Sequence, residues 1–177
     1  SQILFGRSAG RGDLKNSNII FSTAVALCVI MGTGCFIVCM AFPHQLAVIL
    51  GAGDEALALE AVEYIRGISI GFVFMMFYKA VLSFLQLDNA PKTAFSATLV
   101  MIVTKAFFDI LGIFVLKNGM FGVGLSTSLA YFAASVIGIV HHVRPKSSIR
   151  FALNGVDPHC AFQILTLGVP NAVIEIC

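Results

Sequence analysis

Two opposite charges lie close together within a long apolar segment. Lys105 and Asp109 fall in the stretch from about residue 93 to 116, which contains no other Asp, Glu, Lys or Arg. A spacing of four residues places both side chains on the same face of a helix. In a membrane-spanning helix each charge alone would cost about 2.5–3.5 kcal/mol, so a mutual ion pair is expected to relieve part of that cost.

Two interpretations of this pair stay open. It is either a structural ion pair that only neutralises itself, or the lining of a water-filled cavity in which Asp109 binds a proton or cation and Lys105 tunes it. A third charge, Lys79, falls in another apolar segment. Two roles are open for Lys79: its long side chain extends to the membrane interface, or the residue takes part in transport.

The composition excludes most classes of water-soluble protein. Of the 177 residues, 58% are hydrophobic and only 11% are charged, and the mean hydropathy is +0.95, so too few polar side chains are present to cover a soluble core. Membrane lipid is therefore the expected surrounding. The net charge of +2 is small and dispersed, so nucleic acid is not a predicted partner.

Four apolar segments are long enough to cross a bilayer, which requires roughly 20 helical residues. They cover about residues 19–42, 57–86, 93–116 and 120–143. Residues 1–9 and 162–177 resemble parts of further helices cut by the chain ends. The sequence therefore predicts an all-α, polytopic transmembrane helix bundle, with four full spans plus partial spans at both ends, that we expect to be a fragment of a longer protein.

Glycine, proline and acidic residues separate the predicted spans. The breaks are at 10–13, Pro43, 51–55, 88–91 and 117–119, where such residues end helices or begin new ones. The only long polar linker covers 144–160. It is predicted to join a transmembrane bundle over 1–143 to the start of a second bundle over 161–177.

The distribution of Lys and Arg between the loops predicts the orientation. Only Arg66 and Lys117 are assigned to one side of the membrane. The other side receives Arg7, Arg11, Lys15, Lys92, Arg144, Lys146 and Arg150. Because cytoplasmic loops are enriched in Lys and Arg, this second side, with the chain start and the 144–160 linker, is predicted to be cytoplasmic.

Small residues recur every four positions along the fourth span. Gly122, Ser126, Ala130 and Ala134 form this row, which predicts a face where helices pack closely in lipid. Cys28, Cys35 and Cys39 also share a helix face, but the step from Cys28 to Cys35 is about 10 Å along the axis, too long for one metal ion. We therefore predict close packing and no metal site.

The sequence offers no set of residues for catalysis. The four histidines lie at predicted helix ends or in loops, and no Ser–His–acid or Cys–His arrangement is recognisable. Neither a dinucleotide loop nor a Walker phosphate loop is present. No catalytic residue is predicted, and an enzyme is not expected.

Several short motifs together resemble one family of transporters. They are GRGD at 10–13, GAGD at 51–54, FLQLDNAPK at 84–92, FDILGIF at 108–114, GVGLSTS at 122–128 and LGVP at 167–170. Their order and spacing over nearly the whole chain are similar to those of the multidrug and toxic compound extrusion (MATE) transporters. The resemblance implies twelve helices in two six-helix lobes, of which this chain covers the end of helix 2, helices 3 to 6, the interlobe linker and the start of helix 7.

The resemblance also bears on the candidate sites. Family members often carry Asn one turn before the fifth-helix Asp, whereas this chain has Lys105, so cation binding at Asp109 requires Lys105 to be deprotonated or to point away. Glu175 falls in the seventh helix, where some branches carry a functional acid, and is a further candidate. The coupling ion implied is H⁺ or Na⁺, with no other cofactor. The first helices and the second lobe of the same protein are the implied partners.

The expected function is secondary export of small organic, often cationic, compounds across the plasma membrane by proton or sodium antiport. A lipid-linked oligosaccharide flippase of the same superfamily is an alternative, which a larger and more cationic cavity would favour. A non-transporting membrane scaffold is another. The scaffold would be favoured if Lys105 and Asp109 faced a protein interface without a water-filled cleft.

Overall fold

The computed structural model describes residues 6, 14–88, 90–117, 119–143 and 160–166, and over these residues the chain is all-α, as predicted. The helices are α1 (Leu14–Ala41), α2 (Pro43–Ile49), α3 (Glu55–Ser69), α4 (Phe72–Leu87), α5 (Pro91–Ile110) and α6 (Gly119–Val143). A π-helical segment, Leu111–Leu116, extends α5. Residues 160–166 are also helical.

Within the described ranges, three helices are long and apolar enough to cross a membrane. They cover Asn16–Ala41, Pro91–Val115 and Gly119–Val143. The bent pair α3 and α4, counted as one span, gives a fourth candidate crossing. Large apolar side chains on their outer faces, such as Ile30, Phe95 and Ile110, are more than half exposed, as expected for groups in contact with lipid. The chain is therefore a multi-pass membrane protein.

The crossing formed by α3 and α4 is broken, whereas the sequence predicts one span over 57–86. The axes of α3 and α4 differ by 51° across Ile70 and Gly71. A Cβ atom at Gly71 would lie only 2.5 Å from the Ser128 Oγ of α6. Gly71 therefore lets α6 approach at the break, a contact that the local sequence pattern does not reveal.

A serine of α6 satisfies the backbone at the end of α3. Ser128 Oγ lies 2.9 Å from the Gly67 carbonyl oxygen and 3.4 Å from that of Ile68. The Ile68 carbonyl oxygen also accepts from the Gly71 N–H at 2.9 Å, so Ser128 mainly serves the Gly67 carbonyl. Carbonyls in the last turn of a helix need such partners, because the bilayer core holds no water. The Ser128 hydroxyl is thus a polar connection that stabilises the break.

Helix α6 is the centre of the bundle and contacts α3, α4, α5 and the π-helical segment. Its approach to α3 is closest at two glycines. A Cβ at Gly124 would meet the Tyr64 carbonyl oxygen at 2.6 Å, and a Cβ at Gly67 would meet the Phe121 carbonyl oxygen at 2.4 Å. The two backbones can therefore touch only because neither residue has a side chain.

A separate apolar cluster joins α1 to α4. Ile20, Phe21 and Val25 of α1 pack around Phe84 of α4, with the Phe21 and Phe84 rings in an edge-to-face arrangement at 4.8 Å. Cys160 and Ile164, in the helical residues 160–166, pack against the same cluster. Most of the predicted linker and the rest of the predicted second bundle lie outside the described residues.

Two details refine the predicted helix ends. Pro43, the predicted break after the first span, begins the short helix α2, where its missing N–H removes no intrahelical hydrogen bond. Arg66, assigned above to a loop, lies in the last turn of α3, where a positive charge suits the negative end of the helix dipole. The predicted turn at 117–119 agrees with Lys117 and Gly119, which have φ values of 48° and 57°.

Contacts at the two ends of the bundle show that α3 and α4 run in the same direction as α6. At one end, His141 near the end of α6 pairs with Asp88, the residue after α4, at 3.1 Å. At the other end, a cleft of about 790 Å³ brings Glu60 and Glu63 of α3 together with Lys117 and the start of α6. The start of α6 therefore lies beside α3, and its end lies beside the residue that follows α4.

Candidate functional site

Lys105 and Asp109 form the ion pair that their spacing predicts. Lys105 Nζ lies 2.8 Å from Asp109 Oδ2, and both side chains extend from α5. They are partly accessible, with 42% of the Lys105 side chain and 27% of the Asp109 side chain exposed. The charges are therefore paired without being sealed inside the bundle.

Two consecutive hydroxyl groups of α6 complete the site. Ser126 Oγ donates to Asp109 Oδ1, the carboxylate oxygen that Lys105 does not contact. Thr127 Oγ1 accepts from Lys105 Nζ at 3.2 Å and donates to the Val123 carbonyl oxygen at 3.1 Å. Each charged group thus has a hydrogen-bond partner on α6, and the pair connects two helices.

The Ser126 hydroxyl is shared between two acceptors. Its oxygen lies 2.8 Å from the Val123 carbonyl oxygen and also contacts Asp109 Oδ1. Because a hydroxyl has a single hydrogen, the strength of its bond to the carboxylate depends on the charge of Asp109. Ser126 therefore divides one hydrogen between the backbone of its own helix and the Asp109 carboxylate of α5.

The ion pair borders an open cavity between α5 and α6 of about 370 Å³. Its lining combines the two charges and Thr127 with apolar or aromatic groups. These are Met101, Ile102, Ala106, Ala130 and Tyr131. A few polar groups within a mainly apolar wall are typical of small-molecule sites.

Of the other predicted site residues, Ala130 also lines this cavity, and Lys79 does not. Lys79 is exposed on α4 and is absent from the cavity lining. Glu175 lies outside the described residues, so its role stays a prediction. The predicted packing residues are all buried in α6: Gly122, Ser126, Ala130 and Ala134.

The polar contribution of α6 does not follow from the predicted packing face. The four-residue spacing predicts only helix packing at Ser126 and singles out neither Thr127 nor Tyr131. One sequence feature does indicate polar contacts from this helix. The predicted span contains three consecutive hydroxyl residues, Ser126, Thr127 and Ser128. Such residues need hydrogen-bond partners in lipid, which favours contacts with a neighbouring helix.

Comparison with known proteins identifies the family. The model of the MatE family matches residues 1–111, more than half of the chain. The chain belongs to the MatE family. It is 23% identical over 172 residues to the "Multidrug export protein MepA" of Staphylococcus aureus strains RF122 / ET3-1 and NCTC 8325 / PS 47.

These matches cover 96% of the MatE chain but only 38% of each relative. The chain thus spans about two fifths of the length of the curated relatives it matches. Solved structures agree in fold, with TM-scores of 0.85 to an inward-facing and 0.87 to an outward-facing MATE family transporter. Their sequence identities are 20% and 21%, and they are covered to 39% of their length.

Proposed function

We propose that this MatE chain is the N-terminal lobe of a secondary exporter that expels organic, often cationic, compounds. Inward flow of protons or Na⁺ drives the export. Family membership and the printed function of the MepA relatives support this proposal. The observation that carries it is the accessible Lys105–Asp109 pair beside the cavity between α5 and α6.

The exposure of the pair favours transport over a purely structural role. A structural ion pair is stabilised when surrounding groups cover it and satisfy its remaining hydrogen bonds. Here the charges border about 370 Å³ of open space, and intramembrane charges beside such space commonly mark substrate or ion pathways. This geometry disfavours the scaffold alternative.

The flippase alternative lacks a supporting observation among the described residues. It was expected to have a larger and more cationic cavity. The cavity between α5 and α6 contains one lysine, Lys105, whose charge Asp109 balances, and it does not include Lys79. Export of smaller organic compounds fits this cavity better.

The mechanism that we propose is alternating access between two lobes around a site near the middle of the membrane. Asp109 would exchange the coupling ion, and Ser126 would orient its carboxylate through the shared hydroxyl. The apolar wall and Tyr131 would contact the substrate. Coupling requires that ion and substrate favour different states of the transporter, because a ligand shifts an equilibrium only by its differential affinity.

Three variants of the intact transporter test this function. Asp109→Asn, Lys105→Asn and the double variant are assayed for substrate efflux from cells, with efflux normalised to folded protein. We expect loss of efflux in Asp109→Asn and in the double variant, because both lack the ionisable carboxylate. Lys105→Asn should retain efflux, since it keeps that group.

The double variant is decisive because it removes both charges together. If the pair is only structural, its removal relieves their joint insertion cost and leaves function intact. Normal efflux from a well-expressed double variant would therefore contradict the proposed role of Asp109.

A further inference from the structure

We infer that the Lys105 ammonium occupies the position on Asp109 that Na⁺ would need, so that this site contains its own cation and is closed to Na⁺. The inference rests on the proposed function and narrows its coupling ion at Asp109. It also predicts that removing the Lys105 amine creates a Na⁺ site at Asp109.

Two oxygen atoms contact the Lys105 ammonium, and further oxygen atoms lie next to those two residues. Lys105 Nζ contacts Asp109 Oδ2 at 2.8 Å and Thr127 Oγ1 at 3.2 Å. Ser126 Oγ contacts the other carboxylate oxygen, and the Val123 carbonyl oxygen lies next to both hydroxyls. Carboxylate, hydroxyl and carbonyl oxygens are also the ligands of hard metal cations.

Lys105 and Na⁺ would compete for the same negative charge. Each has one positive charge, and two such charges on one carboxylate repel each other. The ammonium has the advantage that α5 holds it in place: it lies one helical turn from Asp109 and loses no translational freedom on pairing. Na⁺ must come from solution and displace it.

Replacing Lys105 by Asn should reverse this preference. The change removes the tethered charge and leaves the Asp109 carboxylate without the cation that it contacts in the structure. It also supplies an amide oxygen on the same face of α5. The remaining carboxylate, hydroxyl and amide oxygens can then bind Na⁺.

Thermal unfolding of the purified intact transporter tests the inference without measuring transport. Each protein is unfolded in detergent with NaCl or with choline chloride at equal ionic strength. Any difference in Tm between the two salts should be the same in the wild type and in Asp109→Asn, because Na⁺ does not bind at Asp109 in the wild type. Lys105→Asn should gain a Na⁺-specific rise on the order of 2 °C that saturates with concentration.

Two further variants control for charge and for the carboxylate. Lys79→Asn makes the same chemical change at the other intramembrane lysine, which does not line the cavity, and should behave as the wild type. Lys105→Asn combined with Asp109→Asn should lose the gained response, because the carboxylate is absent. If Lys105→Asn gives no folded protein, Lys105→Gln takes its place.

Two results would overturn the inference. One is a Na⁺-specific stabilisation of the wild type that Asp109→Asn abolishes, since Na⁺ would then bind beside Lys105. The other is a folded Lys105→Asn protein without any gained response to Na⁺. The efflux of the variants tests the proposed function, whereas the salt dependence of Tm tests the inference. The two can therefore fail separately.

Discussion

At the scale of single residues, Asp109 is held from two helices. Lys105 contacts one carboxylate oxygen and Ser126 the other. The ion pair follows from local spacing on α5, whereas the serine contact requires α6 to lie against α5. The hydroxyl therefore determines the orientation of the carboxylate relative to the neighbouring helix.

Ser126→Ala should weaken function more than folding. Loss of a hydrogen bond to a charged group corresponds to about 1.5–3 kcal/mol, so we expect efflux per folded molecule to fall on the order of tenfold. Ser135→Ala is a matched control, because Ser135 is also buried in α6 but bonds the Phe74 and Tyr131 carbonyl oxygens. Equal efflux from the two variants would contradict the special role of Ser126.

At the scale of secondary-structure elements, α6 organises the bundle through its small residues. Gly124 permits backbone contact with α3, and Ser128 satisfies carbonyl groups where α3 ends. Lipid is as apolar as the helix faces, so close packing and hydrogen bonds stabilise such contacts more than burial from water does. The broken α3–α4 crossing therefore depends on α6.

Gly124→Ala should destabilise the bundle although it adds a single methyl group. The new Cβ would lie 2.6 Å from the Tyr64 carbonyl oxygen, so α3 and α6 must separate, at a cost of roughly 1–3 kcal/mol. Gly112→Ala is the matched control, because its nearest contact would be an ordinary 3.8 Å. Thermal unfolding in detergent compares the two, and similar Tm values would contradict the close contact.

At the scale of the whole molecule, Asp54 and Lys92 lie toward opposite ends of the bundle, because α3 is beside the start of α6 and the start of α5 is beside its end. Asp54 precedes α3, and Lys92 lies in the first turn of α5. The excess of Lys and Arg predicts that Lys92 is cytoplasmic and Asp54 external. Which surface faces the cytoplasm depends on this charge distribution and stays a prediction.

Cysteine labelling of the intact transporter can test this orientation. Asp54→Cys and Lys92→Cys are introduced after all native cysteines, including the five in this sequence, have been replaced. We expect a membrane-impermeant thiol reagent to label Asp54→Cys in intact cells and Lys92→Cys only in opened or inverted membranes. The reverse pattern would invert the topology.

The sequence by itself determined the features that depend on a single segment of chain. The length and apolarity of each span define where the membrane is crossed, because insertion depends on the summed cost of its own side chains. The Lys105–Asp109 pair is equally local, since helix periodicity brings residues four apart together. The fold class and the ion pair could therefore be predicted without coordinates.

Only the tertiary structure decided which helices supply the other half of the site. The contacts of Ser126 and Thr127 with the ion pair, the break at Gly71 and the cavity all depend on how α6 packs against its neighbours. A hydroxyl in a membrane helix can bond its own backbone or another helix, and its sequence position is compatible with both. Close packing of α6 against α5 gives Ser126 and Thr127 partners on another helix in addition to their own backbone.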